Sequence, residues 1–392
     1  MHNGDEHTDA DETGQRQRQR PLAEAVIDLN AIAHNTRILR EHSNDHLMAV
    51  IKGDGFGHGA VQVAQTTLAN GATWLGVAHI DEALALRKAG LTAPTFAWMH
   101  PSDDDVTDAL GEDIDLSASS LAHLTGIAAC AQKTGIRAAV HLKVDTGLHR
   151  NGSSLTEWPA LIQAAAQLEE QGLVRIRGIW SHLAFSDDPT HPTTSRQIEL
   201  FDAAVHQARA VGLKPELLHL ANSSAALTVP RTRYHMVRAG IALYGVEPVP
   251  GQTFGLRPAM TLCAPVIEAQ EVPPGENAPF GHLHTNTTDH PTAVALLPLG
   301  YMSGLPRAAS PTAQVWLAGA RRPMAGQIDM DQCLVDAGDA QIKVGDNAVL
   351  FGPGDQGEPT AAEWAHWANT NPQQVLTGLG LRVPRRYLPT TS

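Results

Sequence analysis

Short, continuous apolar runs alternate with amphipathic stretches along the chain up to about residue 250. A short strand from Ala23 comes first, followed by a helix with Asn30 as its predicted N-cap. Strand and helix then alternate eight times, with strands predicted at 48–51, 74–78, 95–98, 114–116, 137–144, 174–180, 216–220 and 236–239. Continuous apolar runs are typical of strands buried on both faces, as in parallel sheets. The pattern therefore predicts an α/β fold, a (β/α)8 TIM-type barrel with functional groups at the C-terminal ends of its strands.

The pattern changes after about Gly251, where helical periodicity ends. Short runs rich in β-branched residues follow at 264–269, 293–297, 314–317, 333–336 and 347–351, separated by turn sequences such as PPG and GPG. They predict a second, mainly antiparallel β domain over residues 251–392. The barrel domain is then expected over residues 21–250, and its first short strand is a candidate for pairing with the second domain.

Composition narrows the class of protein. The chain has 392 residues, 43% hydrophobic and 18% charged, and no apolar run reaches the roughly 18 residues that span a bilayer. The net charge of −13 opposes general binding to nucleic acid or to an anionic membrane. Residues 1–20 are polar and lack the hydrophobic core of a signal peptide, so we predict a disordered tail. Three widely spaced cysteines fit a reducing, cytoplasmic location and no metal site.

The stretch AVIKGDGFGHG, residues 49–59, is the first candidate for chemistry. A buried strand delivers Lys52 to a turn with a glycine at every second position, at 53, 55, 57 and 59. Glycine permits positive φ and a close approach of backbone to a ligand. An apolar setting lowers the pKa of a lysine amine and frees it to attack a carbonyl. Alone, the stretch fits a surface lysine in a glycine-rich turn equally well.

Several segments in order resemble the alanine racemase family, the fold-type III enzymes that use pyridoxal 5'-phosphate (PLP). The lysine stretch resembles the family's PLP-lysine motif, and MVRAGIALYG resembles its Val-Arg-Pro-Gly-Ile segment, with Ala239 in place of the proline. The resemblance continues through HLKVDTGLHR, SHLA, LRPAMTL, LPLGYMSGLPR, MDQCLVD and LRVPRRY, and so covers the chain from Leu22 to Leu388. It implies a PLP-dependent amino acid racemase acting at Cα of alanine or a related small amino acid.

The resemblance also assigns residues to the cofactor. Lys52 would form the Schiff base, and Arg238 would contact the pyridine nitrogen and leave it without a proton, since a guanidinium stays protonated. Arg150, with Lys143 beside it, would neighbour the phenolic oxygen and the substrate carboxylate, and His182 would lie against the ring. The remaining cofactor contacts would be Phe56, Asn222, Ser223, Gly240 and Ile241. Ser223 begins a predicted helix, and the free backbone amides at a helix N-terminus can bind a phosphate.

In this family the β domain of one subunit completes the active site of the other. The resemblance thus implies a homodimer with shared sites, in which Tyr301 and the backbone of Met330 come from the partner. Phe280 would also line the substrate site.

The sequence departs from the family at the second catalytic base. Racemisation needs a base on each face of Cα, and the family uses the PLP lysine and a tyrosine. Phe280, in ENAPFGHLH, occupies the tyrosine position, and phenylalanine carries no proton. Phe56 and Leu381 replace two further tyrosines of the family. Asp329 lies where the family usually has a cysteine, and His149 where it usually has a glycine.

Three functions remain open from the sequence. A racemase could use His149, His282, Asp329 or Tyr301 as a substitute base, since a histidine near its reference pKa of ~6.5 is competent. Alternatively, Lys52 acts alone in a one-base PLP reaction such as retro-aldol cleavage, decarboxylation or stereospecific exchange. In the third hypothesis, the protein binds PLP or an amino acid without turnover.

Overall fold

The computed structural model describes residues 21–277, 285–310, 312–380 and 382–390. The tail predicted at residues 1–20, and the positions of Phe280, His282 and Leu381, lie outside them. The chain begins with strand β1 (Glu24–Asp28) and helix α1 (Leu29–Glu41). The N-cap of α1 is Asp28, whose carboxylate accepts a hydrogen bond from the backbone N–H of Asn30. The prediction of Asn30 as N-cap was wrong by two residues, because an aspartate already stood at the strand's end to accept that bond.

Eight parallel strands follow and form the predicted barrel. They are β2 (His46–Val50), β3 (Trp74–Val77), β4 (Thr95–Ala97), β5 (Ile114–Ala118), β6 (Ala138–Lys143), β7 (Val174–Trp180), β8 (Leu217–His219) and β9 (Met236–Ala239). From β2 to β8, each strand pairs in parallel with the next, and β9 pairs in parallel with β2. Two backbone bonds link β8 and β9 with their flanking residues. The N–H of His235, just before β9, donates to the Leu218 oxygen, and the N–H of Arg238 donates to the oxygen of Ala221, which lies after β8. These two bonds complete the ring of strands.

Helices follow the strands around the barrel. After the turn α2 (Lys52–Phe56) come α3 (Ala60–Ala69), α4 (Ile80–Lys88), α5 (Thr107–Gly111), α6 (Leu121–Thr134), α7 (Trp158–Glu170), α8 (Pro192–Ala210) and α9 (Ser223–Thr228). Their apolar faces pack on the strands in one continuous core, in which Phe201 and Trp158 are fully buried. This core fixes the strand ends that carry the candidate site.

The second half of the chain forms two further sheets. A six-stranded sheet has the order β14 (Ala320–Pro323), β13 (Gln314–Leu317), β16 (Asn347–Phe351), β10 (Met260–Pro265), β1, β17 (Arg385–Leu388). A three-stranded sheet contains β11 (Glu268–Val272), β12 (Thr292–Leu297) and β15 (Cys333–Gly338), and the helices are α10 (Ala361–Trp367) and α11 (Pro372–Thr377). Only the β1–β17 pairing is parallel among the described pairs of these two sheets. This is the mainly antiparallel domain that the sequence predicted.

The first strand belongs to the second half of the molecule. β1 lies between β10, to which it is antiparallel, and β17, to which it is parallel. Its inward residues Ala25 and Ile27 join the core of the six-stranded sheet. The domain boundary at about residue 250 stays a prediction. In the part of the chain that the structure describes, no helix is long and apolar enough to cross a membrane.

Candidate active site

Five basic side chains meet at the C-terminal ends of the barrel strands. Lys52 follows β2, Lys143 ends β6, Arg150 lies in the loop after β6, His182 follows β7, and Arg238 is in β9. The charge of Arg150 contributes to lowering the pKa of each of the other four, which shows how closely the groups are placed. The barrel mouth is therefore strongly electropositive, and an anion bound there would relieve the repulsion.

The lysine turn, α2, is a left-handed helical turn. Gly53, Asp54, Gly55 and Phe56 have φ of 61°, 52°, 61° and 51°, and Gly57 continues with φ 81°. The predicted positive φ of the glycines is confirmed, with Gly59 at 95°. Asp54 and Phe56 share the conformation, although it costs residues with a side chain about 1–2 kcal/mol each.

Local hydrogen bonds hold this turn in place. The carboxylate of Glu82, at the start of α4, accepts from the backbone N–H of Gly53 at 2.6 Å and from that of Ala78 at 2.9 Å. The Asp54 carboxylate accepts from the N–H of Ala60, the first residue of α3, at 2.8 Å. The strained turn is thus fixed to both neighbouring helices, which directs Lys52 toward the barrel mouth.

The Lys52 amine is accessible but lies among aromatic rings. Its Nζ is 5.8 Å from the ring centre of Trp98 and 6.0 Å from that of Phe56, which packs in turn on Tyr244 at 4.8 Å. Partial desolvation, and then the charge of Arg150, lower the pKa of Lys52. A larger share of the amine is therefore unprotonated at neutral pH than in a free lysine, as nucleophilic chemistry requires.

Arg238 is almost fully buried and held by backbone carbonyls. Its Nη1 donates to the His219 carbonyl at 2.8 Å, and its Nη2 to the carbonyls of Ser181 at 2.8 Å and Leu220 at 3.2 Å. Nη2 also donates to Nδ1 of His182 at 3.2 Å. Burial and Arg150 lower the pKa of Arg238 to about 9, so the guanidinium remains a cation at neutral pH.

The bond from Arg238 sets the tautomer of His182. Arginine only donates, so Nδ1 of His182 accepts, and its proton is on Nε2. Burial and the charges of Arg238 and Arg150 lower the pKa of His182 well below its usual range. The site therefore contains a neutral imidazole with a fixed tautomer.

A group of small polar residues lies between β8 and β9. The Ser223 hydroxyl accepts from the backbone N–H of Gly240 at 2.9 Å and from that of Ala242 at 3.4 Å. Asn222 caps α9 by accepting from the Ala225 N–H, and its amide donates to the Ser186 hydroxyl at 2.6 Å. A β-carbon at Gly240 would come within 3.3 Å of Phe56.

Ile241 begins the short 3-10 helix that follows Gly240. The structure thus brings Asn222, Ser223, Gly240 and Ile241, four of the predicted cofactor contacts, to one place. Their backbone amides, with the Ser223 hydroxyl and the Asn222 side chain, form the kind of group that binds an anion.

Lys143 lies deeper in the mouth than Lys52. Its ammonium donates to the Asn151 side chain and lies 4.1 Å from the ring centre of Trp180. Burial, with Arg238 and Arg150, lowers its pKa to about 7.

His149 lies on the rim, with φ of 55°. Its ring Nδ1 is 3.3 Å from the Asp145 carboxylate, which also accepts from the His149 backbone N–H. The left-handed conformation accounts for the glycine that the family usually has there. Asp145 orients the imidazole beside Arg150.

The structure places Tyr301, Asp329 and Met330 together in the β domain. The backbone N–H of Tyr301 donates to the Asp329 carbonyl at 2.9 Å, and that of Met302 to the Met330 carbonyl at 2.8 Å. Tyr301 and Met330 are 41% and 55% exposed. Within the described ranges, no hydrogen bond or ion pair joins these three residues to the barrel mouth. Phe280, the remaining predicted substrate contact, lies outside the described residues.

Sequence reasoning missed a polar chain inside the barrel. Asp115 on β5, His141 on β6 and His219 on β8 are all buried and bonded to one another across the strands. The available signal was the presence of aspartate and histidine inside apolar strand runs, because such groups are rarely buried without partners. Among the residues with described positions, no group of three or more His, Cys, Asp or Glu side chains could hold a metal ion.

Comparison with known proteins places this geometry in a family. Residues 27–248 match the family of alanine racemase N-terminal domains, and residues 259–387 match the family of alanine racemase C-terminal domains. The chain is 45% identical over 366 residues to the alanine racemase of Salinispora arenicola, covering 93% of this chain and 98% of that one. It is 46% identical over 368 residues to that of Thermobifida fusca, with the same coverage.

Solved structures give the same result. The crystal structure of the alanine racemase of a D-cycloserine-producing Streptomyces lavendulae superposes with a TM-score of 0.91 at 41% identity, covering 95% of this chain and 98% of that one. The alanine racemase of Streptomyces coelicolor gives 0.91 at 43% identity, with 94% and 98% covered.

Proposed function

This chain belongs to the alanine racemase family, and from that membership we propose that it is a PLP-dependent racemase that interconverts the enantiomers of alanine. The observation that carries the proposal is the position of Lys52, on a strained turn at the mouth of the barrel and facing Arg150. The activity named for the relatives does not favour a one-base enzyme or a non-catalytic binding protein.

The donor set of the mouth fits PLP, which is an anionic aldehyde. Lys52 offers an amine with a lowered pKa, and Ser223, Gly240 and Ile241 offer hydroxyl and backbone groups to a phosphate. The missing side chain of Gly240 lets the Phe56 ring pack close to the backbone there, where a β-carbon would lie 3.3 Å from it. When bound, the cofactor supplies an electron sink that acidifies the proton on Cα of the amino acid.

Each site residue then has a defined task. Lys52 holds the cofactor covalently and removes or returns the proton on one face of Cα. Arg238 stays cationic at neutral pH and would hold the pyridine nitrogen of the cofactor, which a guanidinium would leave unprotonated. The neutral His182 would contact the cofactor ring without adding charge, and Arg150 would attract the substrate carboxylate.

A racemase also needs a proton carrier on the second face. We propose His149 as the first candidate, because it is on the barrel rim next to Arg150 and Asp145 orients its ring. Tyr301 and Asp329 are the alternatives from the β domain.

We propose a homodimer as the working form. The exposed side chains of Tyr301, Met302 and Met330 lie together on the β domain, and apolar residues grouped on a surface are typical of a contact with another chain. A second copy that buries this patch would bring Tyr301 and Met330 to a barrel mouth. A cytoplasmic location is supported by the free thiols of Cys130, Cys263 and Cys333.

The test is Cα exchange in deuterated water. Purified, PLP-loaded protein is incubated separately with L- and D-alanine, and both deuterium incorporation and chirality are followed. We expect exchange and inversion from both enantiomers. Exchange from one enantiomer without inversion would leave Lys52 as the only base and would contradict the racemase proposal.

A further inference from the structure

Four buried groups form a continuous hydrogen-bonded chain across the interior of the barrel. Nη1 of Arg238 is 3.3 Å from Nδ1 of His219, Nε2 of His219 is 2.9 Å from Nδ1 of His141, and Nε2 of His141 is 2.9 Å from the Asp115 carboxylate. At the far end, Arg177 donates to both oxygens of Asp115, at 3.0 and 3.2 Å. The chain thus runs from the active-site arginine to an ion pair on the opposite side of the barrel interior.

The chain has a single direction. Arg238 only donates, so Nδ1 of His219 accepts and its proton is on Nε2. That proton is donated to Nδ1 of His141, so the proton of His141 is on Nε2 and is donated to the Asp115 carboxylate. A proton on Nδ1 of His141 would face the N–H of His219. Both rings are therefore neutral, and the direction of every bond follows from the two ends.

Aromatic side chains shield the chain from water. Trp180 stacks parallel to His219 with ring centres 5.8 Å apart, and the ring of Phe96 lies 4.6 Å from His141 and 5.6 Å from His219. Trp74 meets the edge of His141 at 5.9 Å. With no solvent to accept or supply a proton, a change at one end must be passed along the chain.

We propose that Asp115 and His141 are positioning residues that act through His219 to fix the orientation of Arg238 and its donation toward the active site. Asp115 accepts the last proton of the chain and so determines the tautomer of both histidines. His219 then presents a lone pair to Nη1 of Arg238, which leaves Nη2 to hold His182. The expected effect of these residues on catalysis rests on the proposed function, whereas the direction of the hydrogen bonds among them does not.

Asp115→Asn is the informative change, because it preserves the shape of the side chain and alters the direction of the hydrogen bonds. An amide N–H facing His141 would require Nε2 of His141 to accept, so the proton of His141 would move to Nδ1. That proton would be donated to Nε2 of His219, and the proton of His219 would then lie on Nδ1, opposite the N–H of Arg238. With the amide turned the other way, its N–H would meet that of Arg177. Either arrangement sets two donors against each other, as when an asparagine replaces the aspartate behind a catalytic histidine.

The first measurement uses the protein labelled with ¹⁵N in histidine and free of cofactor. Long-range ¹⁵N–¹H correlations distinguish the tautomers, and the rings are assigned with His141→Gln and His219→Gln. We expect Nε2–H on both rings in the wild type. In Asp115→Asn we expect Nδ1–H on both rings, because the amide orientation that keeps its oxygen at the shorter bond from Arg177 turns its N–H toward His141. Unchanged tautomers in the variant would contradict the control of the histidines by Asp115. A charged ring or an Nδ1–H in the wild type would overturn the proposal even if the variant did not fold.

The second measurement uses the PLP-loaded protein. We expect Asp115→Asn to lower kcat by about 10- to 100-fold, as when a group that orients another is lost, with a much smaller change in KM. The absorption of the bound cofactor should shift as well. The control is Ser117→Ala, two residues along β5, which removes the acceptor of the Trp180 indole N–H at 3.1 Å but leaves the chain intact.

The two measurements separate the two proposals. If the wild type does not racemise alanine but has the expected tautomers, the proposed function is wrong, whereas the inferred direction of the hydrogen bonds is confirmed. If Asp115→Asn reverses the tautomers yet matches Ser117→Ala in kcat and absorption, the positioning role is wrong.

Discussion

The guanidinium of Arg385 donates from Nε to the backbone carbonyl of Gly57 at 2.9 Å, which ties the C-terminal strand to the end of the lysine turn. Its other nitrogens donate to the carbonyls of Gly380 at 2.8 Å, Val383 at 2.7 Å and Leu379 at 2.8 Å. One side chain thus holds the loop before β17 against the turn that carries Lys52. The β domain thereby supports the turn of Lys52 in its own chain.

Arg385→Lys should loosen this connection, because an ammonium cannot reach four carbonyls in the plane that the guanidinium does. We expect a loss of about 2–3 kcal/mol in the free energy of unfolding, measured with urea, together with weaker retention of PLP. Arg386→Lys is the matched control, since the neighbouring Arg386 forms an exposed pair with Glu24 and should cost less than about 1 kcal/mol. Equal losses in the two variants would contradict the support of the turn by Arg385.

Two glycines of the turn should respond differently to alanine. A β-carbon at Gly53 would find its nearest neighbour, the Thr377 methyl group, at 3.9 Å, whereas one at Gly57 would lie 2.3 Å from the Leu376 carbonyl oxygen. Gly53→Ala should therefore cost only the left-handed strain, about 1–2 kcal/mol. Gly57→Ala adds a backbone clash and should cost more than about 3 kcal/mol. Urea unfolding measures both, and similar losses would show that packing against α11 does not constrain the turn.

Much of the architecture could be predicted from residue patterns. The eight apolar runs predicted the barrel strands, because a strand buried on both faces has no polar side to show. The glycines after Lys52 predicted positive φ. One feature of the lysine turn was not predictable: Asp54 and Phe56 take the same left-handed conformation, which depends on hydrogen bonds to Glu82 and from the start of α3. The first strand was expected to pair with the second domain, but its register against β10 was not predictable, because the two segments are far apart in sequence.

The polar chain was hidden for a related reason. Asp115, His141 and His219 are on different strands, and each looks like an isolated polar residue in an apolar run. Their meeting depends on the register of β5, β6, β7 and β8, which no local pattern reports. The family resemblance gave Arg238 a role but not the groups behind it.

The buried histidine of the lysine turn should make stability depend on pH. His58 is fully buried, and desolvation lowers its pKa from 6.5 to about 4. The unfolded chain therefore gains a proton on this ring as the pH falls through 6.5, but the folded chain gains it only near 4. The free energy of unfolding should fall across this window, by up to about 3 kcal/mol, and should be independent of His58 above it.

His58→Asn should remove that part of the pH dependence. An asparagine can still donate to the Gly55 and Phe56 carbonyls, as Nδ1 of His58 does, but does not titrate. Urea unfolding measured between pH 4 and pH 6.5 would give the difference in slope. His290→Asn is the control of opposite sign. Asp289 and Asp339 raise the pKa of the exposed His290, so its contribution is present at low pH and is lost as the pH rises through its folded pKa. A full acid dependence in His58→Asn would contradict the assignment.

His149→Gly should separate stability from catalysis on the barrel rim. His149 has a φ of 55°, a conformation that costs about 1 kcal/mol for a residue with a side chain but not for glycine. The exposed imidazole also contributes little packing. We therefore expect a free energy of unfolding equal to or slightly above that of the wild type. If His149 is the second base, inversion of alanine should fall by about 100-fold or more, while Lys52 continues to exchange deuterium into one enantiomer.

The matched change in the β domain is Asp329→Asn, which keeps the shape of the side chain but removes its charge. Loss of inversion in this variant, with His149→Gly unaffected, would move the second base to the exposed β-domain surface that holds Tyr301 and Met330. Loss in His149→Gly alone would place both bases on one barrel, Lys52 after β2 and His149 after β6. Unchanged inversion in both would exclude these two residues and leave Tyr301→Phe as the next variant to measure, because a phenol is the remaining proton carrier among the described candidates.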